Sequence, residues 1–314
     1  MVLTDKKNGN YIVNTTCGKI RGYKMYNRVI SSKGIPYAEP PIGELRFRSP
    51  VPKCKWDDIL DAKIFGPIAP QPSMELGSSQ MKQPEQSEED CLTLNVWTPA
   101  LDNKKRTVMF WIHGGAFETG NGQFNGEILA NRGDVVIVSI NYRLGALGFL
   151  YVPGKTANVG LLDQVLALKW VQDNISNFGG DENQVCVFGE SAGGESISAL
   201  MAMPLAKGLF KRAIMQSNVC LPYNLKSSQG ALYTKKVFEQ ARIEYDDLEA
   251  LRKIPAKKLI RAYSKAQQDL SDLQRFIDYY PPYIDGKILP ENPFEAIKSG
   301  ALKNIEIIYT PIHT

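Results

Sequence analysis

Apolar runs of strand length alternate with segments of helical period through the middle of the chain. This alternation is typical of a mostly parallel sheet covered by helices. The runs are rich in Val, Ile and Phe without strict alternation, which predicts strands buried on both faces. The predicted strands are 107–112, 135–140, 184–188 and 213–216. We therefore expect an α/β fold.

A helix is predicted between the second and third of these strands. Its apolar residues recur every three or four positions, so they form one stripe that we expect to face the sheet. The positions are Leu161, Val165, Leu168, Val171 and Ile175, and residues 177–180 end the helix.

The two ends of the sequence differ from this middle part. Residues 1–60 are rich in Gly and Pro and predict an antiparallel prelude, that is, short antiparallel strands that precede the parallel part of the sheet. Residues 70–90 are polar and predict a long surface loop. Residues 225–300 predict a helical segment, including a helix over 251–265 whose basic residues form a solvated face. We find no internal repeat and treat residues 1–314 as one domain.

Composition and charge exclude several classes of protein. The chain carries 37 Lys and Arg against 33 Asp and Glu, a net charge of +4, and its basic residues are scattered. That balance argues against a nucleic-acid partner. No apolar run reaches membrane-spanning length and the N-terminus has no secretory signal, so we expect no membrane span and a cytoplasmic protein.

Cysteine and histidine are too few for a metal or disulfide scaffold. The five cysteines form no CxxC pair and the chain has two histidines. We therefore predict no metal site, no cofactor and a reducing compartment.

The strongest chemical signal is Gly189-Glu190-Ser191-Ala192-Gly193, a G-x-S-x-G motif between a strand and a helix-forming run. A sharp turn there would lift the Ser191 hydroxyl above the sheet at a helix N-terminus, where developing negative charge is favoured. Side chains at Gly189 and Gly193 would collide with neighbouring chain as the turn tightens. Ser191 is the predicted nucleophile.

A second signal follows the strand at 107–112, in the sequence His113-Gly114-Gly115-Ala116-Phe117. Small residues let main-chain N–H groups approach the oxygen on which charge collects in acyl transfer. Together with the serine turn, this segment predicts an oxyanion loop. We expect His113 to order the loop rather than to act as a catalytic base.

With these motifs in place, the sequence resembles the type B carboxylesterase family, the esterase and cholinesterase branch of the α/β-hydrolases. The resemblance runs from about residue 15 to about residue 308 and is specific because many segments match in order. They include Gly34–Ala38, Leu45–Phe47, Glu89–Trp97, Asn141–Gly145, Asn158–Gln164, Phe188–Gly193, Gly208–Phe210 and Asp285–Gly286.

The resemblance implies an α/β-hydrolase fold that is incomplete at the C-terminal end, and a serine esterase acting on small esters. It makes Ser191 the acylated nucleophile and gives the oxyanion-hole N–H groups to Gly115, Ala116 and Ala192. Gly114 and Glu190 then line the site, and Ser217 matches a buried serine that supports the acid of the triad. The resemblance also implies two structural ion pairs, Arg46 with Glu89 and Arg143 with Asp163.

Three departures from the family pattern matter. Secreted relatives join the cysteine that corresponds to Cys91 to a second cysteine by a disulfide. This chain has Ala69 at that second position, which implies that Cys91 is a free thiol. Cholinesterases of this family place a tryptophan in the loop before Glu89 to face the quaternary ammonium of the substrate. Residues 78–87 contain no aromatic residue, so choline esters are not the expected substrate. The acid and base of the triad cannot be assigned, because the chain ends where the acid is expected and His313, beyond Pro311, is a poor candidate.

Three hypotheses remain open. The leading one is a carboxylic ester hydrolase acting on short to medium acyl esters. The second is a non-catalytic binding protein, favoured by the unassigned acid and base and opposed by the intact Ser191 motif. The third is an inactive truncated fragment, whose unpaired sheet edge would favour aggregation or a homo-oligomer.

Overall fold

The computed structural model describes residues 3–5, 10–72, 89–217, 225–273, 282–300 and 303–310. The strands are β1 (Leu3–Asp5), β2 (Asn10–Asn14), β3 (Lys19–Lys24), β4 (Ile30–Pro36), β5 (Ile59–Asp61), β6 (Thr93–Thr98), β7 (Arg106–Ile112), β8 (Val136–Ile140), β9 (Gly180–Glu190), β10 (Arg212–Gln216), β11 (Leu225–Lys226), β12 (Tyr283–Ile284) and β13 (Glu306–Thr310). The helices are α1 (Glu127–Gly133), α2 (Gly145–Phe149), α3 (Val159–Asn174), α4 (Ala192–Ala202), α5 (Ser227–Ala241), α6 (Leu248–Arg252), α7 (Ala256–Leu273) and α8 (Pro293–Lys298).

One large mixed sheet organises the described part of the chain, in the order β1-β2-β3-β4-β6-β8-β7-β9-β10-β13, with β5 paired to β3. Strands β8, β7, β9, β10 and β13 are parallel to one another, whereas β1 to β4, β6 and β8 pair antiparallel. The expected α/β sheet is therefore confirmed. In the described part of residues 1–60, β1 to β4 pair antiparallel and β5 joins β3 in parallel.

Helices cover both faces of the parallel strands. The chain passes from β7 through α1 to β8 on one side of β7, and from β9 through α4 to β10 on the other. Because crossovers between parallel strands are right-handed, these two connections place α1 and α4 on opposite faces. The carboxyl ends of β7, β9 and β10 then meet at one edge, where the candidate site lies.

The four predicted strands are all present as β7 to β10, each within a residue or two of its predicted bounds except β9. Strand β9 starts at Gly180, four residues before the predicted start at 184. Its first residues are polar, but Gly180 pairs with Arg106 on β7, so backbone pairing extends the strand beyond its apolar run.

The helix predicted over 161–175 is α3, and the expectation of one buried stripe is wrong. Twelve of its residues are buried, including Asp163, Gln164 and Asn174. Each polar side chain has a partner: Asp163 binds Arg143, Gln164 donates to Ser196 Oγ at 3.0 Å, and Asn174 donates to Trp170 O at 2.9 Å. These bonds offset most of the cost of burial, although Gln164 Oε1 is buried without a partner, so the helix needs no polar face toward water.

Most of the described residues between 225 and 300 are helical, and they contribute to a second buried cluster. Helices α5 and α7 pack together, and Phe238, Leu259 and Tyr263 lie in that cluster with Leu147 of α2. The single helix predicted over 251–265 is instead α6 and α7, separated at Pro255. A proline cannot donate a helical hydrogen bond, and it disfavours helical geometry at the residue before it.

Of the loop predicted over 70–90, residues 73–88 lie outside the described residues. The described strand order ends at β13, where Ile308 and Tyr309 are 59% and 45% exposed.

Candidate active site

Ser191 occupies a sharp turn between β9 and α4. Its backbone has φ 55° and ψ −124°, a combination that non-glycine residues rarely adopt and that is found at functional sites. The turn is held from both sides, since Ser191 N donates to Gln216 O of β10 at 2.9 Å and Glu195 N donates to Ser191 O at 3.0 Å. The half-buried serine is thus fixed at the N-terminus of α4.

The glycines that flank Ser191 allow the chain to pack closely. A Cβ atom on Gly193 would lie 2.2 Å from Ile112 O, and one on Gly189 would lie 2.7 Å from the carbonyl carbon of Gly193. No Cβ atom tolerates such distances from backbone, so both positions require glycine. The expected collision at the two glycines is therefore confirmed.

The segment after β7 lies directly against the serine turn. A Cβ atom on Gly114 would be 2.5 Å from Glu190 O and 3.2 Å from Ser191 Cβ. Gly115, Ala116 and Phe117 all have positive φ, at 107°, 53° and 59°. The two sequence motifs, 76 residues apart between Gly115 and Ser191, therefore meet in space.

The loop turns around the carbonyl of Gly115, which accepts hydrogen bonds from Glu118 N at 3.0 Å and from Thr119 N at 2.9 Å. Across the ranges that the structure describes, the N–H groups of Gly115, Ala116 and Ala192 have no hydrogen-bond acceptor. Unpaired N–H groups beside a serine hydroxyl can bind a negatively charged oxygen.

Gln71 holds the far end of this loop, and sequence reasoning missed it. Its side-chain amide donates to Gly120 O at 2.9 Å and accepts from Gly120 N at 2.9 Å. A Cβ atom on Gly120 would in turn lie 2.5 Å from Gly114 O, so Gln71 fixes the residue that packs on the loop. No local pattern marks this glutamine, because its partner is 49 residues away.

His113 is buried beneath the loop. Its Nδ1 donates to Gly114 O at 2.8 Å, its ring stacks on Tyr142 with centroids 4.4 Å apart, and Tyr142 Oη donates to His113 O at 2.8 Å. Burial lowers the pKa of His113 to about 4, so the ring is neutral at pH 7. These contacts support the loop-ordering role. His313 lies outside the described residues.

Acidic and hydroxyl side chains surround the turn. Glu190 is exposed, and its Oε2 lies 3.1 Å from the position of a Cβ atom on Gly114. Ser217 is half-buried rather than buried, because it follows the end of β10, where its N–H donates to Thr310 O at 2.9 Å. Glu195, one helical turn after Ser191, is half-buried, and burial raises its pKa to about 7.

Both ion pairs implied by the resemblance are present. Arg143 donates to Asp163 from Nε at 2.8 Å and from Nη2 at 2.7 Å, and both side chains are almost fully buried. Arg46 donates from Nε to Glu89 at 2.8 Å and from Nη1 to Arg252 O at 2.9 Å. The second pair thereby ties the residues before β6 to the helical segment.

The described ranges show neither a metal cluster nor a membrane-spanning helix. They contain no group of three His, Cys, Asp or Glu side chains placed to bind a metal ion. None of the described helices has the length and apolar character that crossing a membrane requires. The described cysteines, Cys91 among them, are free thiols.

Comparison with known proteins gives consistent results. The sequence model of the Carboxylesterase family matches residues 9–311. The chain is 44% identical over 305 residues to the para-nitrobenzyl esterase of Bacillus subtilis (strain 168), covering 95% of this chain and 61% of that protein. It is 36% identical to a cholinesterase of Mus musculus, covering 95% of this chain and 52% of that protein.

Solved structures agree with the sequence comparison. A para-nitrobenzyl esterase structure superimposes with a TM-score of 0.87 at 43% identity, covering 95% of this chain and 62% of the other. A thermophilic para-nitrobenzyl esterase gives a TM-score of 0.89 at 43% identity with the same coverage. The α/β-hydrolase fold is thus confirmed, and the chain spans less than two thirds of the length of these relatives.

Proposed function

This chain belongs to the carboxylesterase family, and from that premise we propose that it hydrolyses carboxylic esters through an acyl-enzyme on Ser191. The observation that carries the proposal is the contact between the strained Ser191 turn and Gly114 of the loop after β7. A nucleophile and a set of unpaired N–H groups at one point are what acyl transfer requires.

The chemistry follows from these positions. The Ser191 hydroxyl attacks the ester carbonyl, and the resulting oxyanion lies against the N–H groups of Gly115, Ala116 and Ala192. Each such donor is worth about 3–4 kcal/mol in related enzymes, and the N-terminus of α4 adds favourable charge. The bond to the alcohol oxygen then breaks, and the alcohol leaves with the proton that the Ser191 hydroxyl lost. Water adds to the acyl carbon, the bond to Ser191 Oγ breaks, and the acid leaves as Ser191 takes back a proton.

Neighbouring residues shape the site in this proposal. Gly114 allows the loop to touch Ser191, Glu190 lines the entrance, and Ser217 connects β10 to β13 beside the nucleophile. We assign His113 no proton-transfer role, because a ring with a pKa of about 4 is a weak base at neutral pH.

The proposed substrates are short to medium acyl esters of small alcohols or phenols. Para-nitrobenzyl esterase and phenmedipham hydrolase, the latter 40% identical over 304 residues, are named for small aromatic substrates. The prediction that choline esters are poor substrates stays a prediction, since residues 78–87 lie outside the described residues. The cytoplasmic location is likewise proposed from the sequence alone, and cell fractionation would test it.

Hydrolysis of para-nitrophenyl acetate and butyrate tests the proposal. The protein should release para-nitrophenol faster than its Ser191→Ala variant. Ser198→Ala, on the same helix and equally conservative, should keep the activity. Circular dichroism would confirm that all three proteins are folded. Equal rates for the parent protein and Ser191→Ala would refute the esterase proposal and favour a non-catalytic binding protein or an inactive fragment.

A further inference from the structure

Two cysteines far apart in sequence lie on adjoining segments of the prelude. Cys17 lies in the turn between β2 and β3, and Cys54 lies in the segment before β5. The segments are hydrogen-bonded, since Trp56 N donates to Cys17 O at 2.9 Å and Trp56 Nε1 donates to Lys19 O at 3.0 Å. This packing is independent of the candidate active site.

The Cys17 thiol lies against the segment that carries Cys54. Cys17 Sγ donates to Lys53 O at 3.3 Å, and this carbonyl belongs to the peptide unit that ends at Cys54 Cα. Covalent geometry therefore places Cys17 Sγ within about 6 Å of Cys54 Cα. A disulfide needs Cα atoms about 4.4–6.8 Å apart, so joining these sulfurs requires rotation of both side chains and a movement of the turn toward Cys54.

Accessibility separates this pair from the other described cysteines. Cys54 is exposed and Cys17 is half-buried, whereas Cys91 and Cys186 are buried. Glu39 accepts from the Cys54 amide at 2.6 Å and pairs with Lys53 at 2.7 Å, which holds the Cys54 backbone in place beside the turn. A reagent from solution would therefore meet Cys54 first and Cys17 second.

We propose that Cys17 and Cys54 are a site of reversible disulfide formation by small-molecule disulfides such as oxidised glutathione. The Cys54 thiolate attacks one sulfur of oxidised glutathione, breaks its S–S bond and releases one glutathione thiolate, which takes up the proton. The Cys17 thiolate then attacks Cys54 Sγ and releases the second glutathione. Two protein thiols are oxidised, and one glutathione disulfide is reduced to two thiols.

The bond would join the β2–β3 turn to the segment before β5. It closes a loop of more than thirty residues and restricts the unfolded chain, because Cys17 and Cys54 are separated by 36 residues. The oxidised protein should therefore melt at a temperature higher by roughly 5 °C.

Oxidation followed by peptide mapping tests the proposal. The folded protein is incubated with oxidised glutathione, free thiols are blocked with iodoacetamide, and tryptic peptides are analysed by mass spectrometry. The expected product is the Cys17 peptide linked to the Cys54 peptide, released by dithiothreitol. Cys220→Ser should keep this link and the rise in melting temperature, and Cys54→Ser should lose both.

Two results would overturn the proposal. One is a Cys54 that carries glutathione while Cys17 remains alkylated. The other is a Cys54 that pairs with a cysteine other than Cys17 in the folded protein.

Discussion

The pKa values of the buried His113 and the half-buried Glu195 predict opposite effects of pH on stability. Burial raises the pKa of Glu195 from 4.5 to about 7 and lowers the pKa of His113 from 6.5 to about 4. In both cases the folded protein disfavours the charged form, because water is excluded around the group. Each shift corresponds to about 3 kcal/mol of folding free energy.

The change of stability with pH has opposite signs for Glu195 and His113. Between pH 4.5 and 7, the unfolded state loses the Glu195 proton while the folded state keeps it, so stability falls as pH rises. Between pH 4 and 6.5, the unfolded state binds a proton on His113 while the folded state does not, so stability rises with pH. The two effects nearly cancel from pH 4.5 to 6.5 in the parent protein.

Single substitutions should reveal each contribution. Relative to the parent protein, Glu195→Gln should gain about 3 kcal/mol of unfolding free energy as pH rises from 4.5 to 7.5. His113→Asn should lose a similar amount relative to the parent as pH rises from 4 to 6.5. The assay is urea denaturation at several pH values, followed by tryptophan fluorescence. The control is Glu306→Gln, whose side chain is 76% exposed.

A difference between Glu195→Gln and the parent that stays constant within about 1 kcal/mol over this range would refute the reasoning for Glu195. It would mean that water or a charged partner reaches the carboxylate in the folded protein. If the difference in unfolding free energy between His113→Asn and the parent stays constant from pH 4 to 6.5, the ring titrates at its ordinary pKa and the reasoning for His113 is refuted.

Two other predictions concern the structure that holds the site. Asp163→Asn leaves Arg143 buried without its counter-charge and should lower the unfolding free energy, measured by urea denaturation, by about 3–5 kcal/mol. The control Lys155→Met breaks the exposed pair with Asp246 and should change the unfolding free energy by less than about 1 kcal/mol. Gln71→Ala removes both hydrogen bonds to Gly120 and should slow fluorophosphonate labelling of the folded protein at least about tenfold; an unchanged labelling rate would contradict the role given to Gln71.

Much of the fold could be predicted because its signals are local. Strands β7 to β10 contain short apolar runs, and the glycines around Ser191 indicate a turn that is too tight for side chains. The helix α3 shows the limit of such patterns. Its buried Asp163 and Gln164 form hydrogen bonds with distant residues, and a helical stripe contains no information about those partners.

The sequence predicted some residues of the candidate site and missed others. Ser191 and the loop residues Gly114 to Ala116 are conspicuous because their chemistry requires small residues or an exposed hydroxyl at fixed spacing. Gln71 and Glu195 were missed, since an amide and a carboxylate acquire their roles only from burial and from contacts that folding creates.

The most direct test of the account is covalent labelling of the folded protein with a fluorophosphonate, with the adduct located by mass spectrometry. The account rests on a Ser191 hydroxyl held beside unpaired N–H groups, so it predicts one adduct, on Ser191, that disappears in Ser191→Ala and after unfolding in urea. A folded protein that forms no adduct, or forms it on another residue, would contradict the central claim.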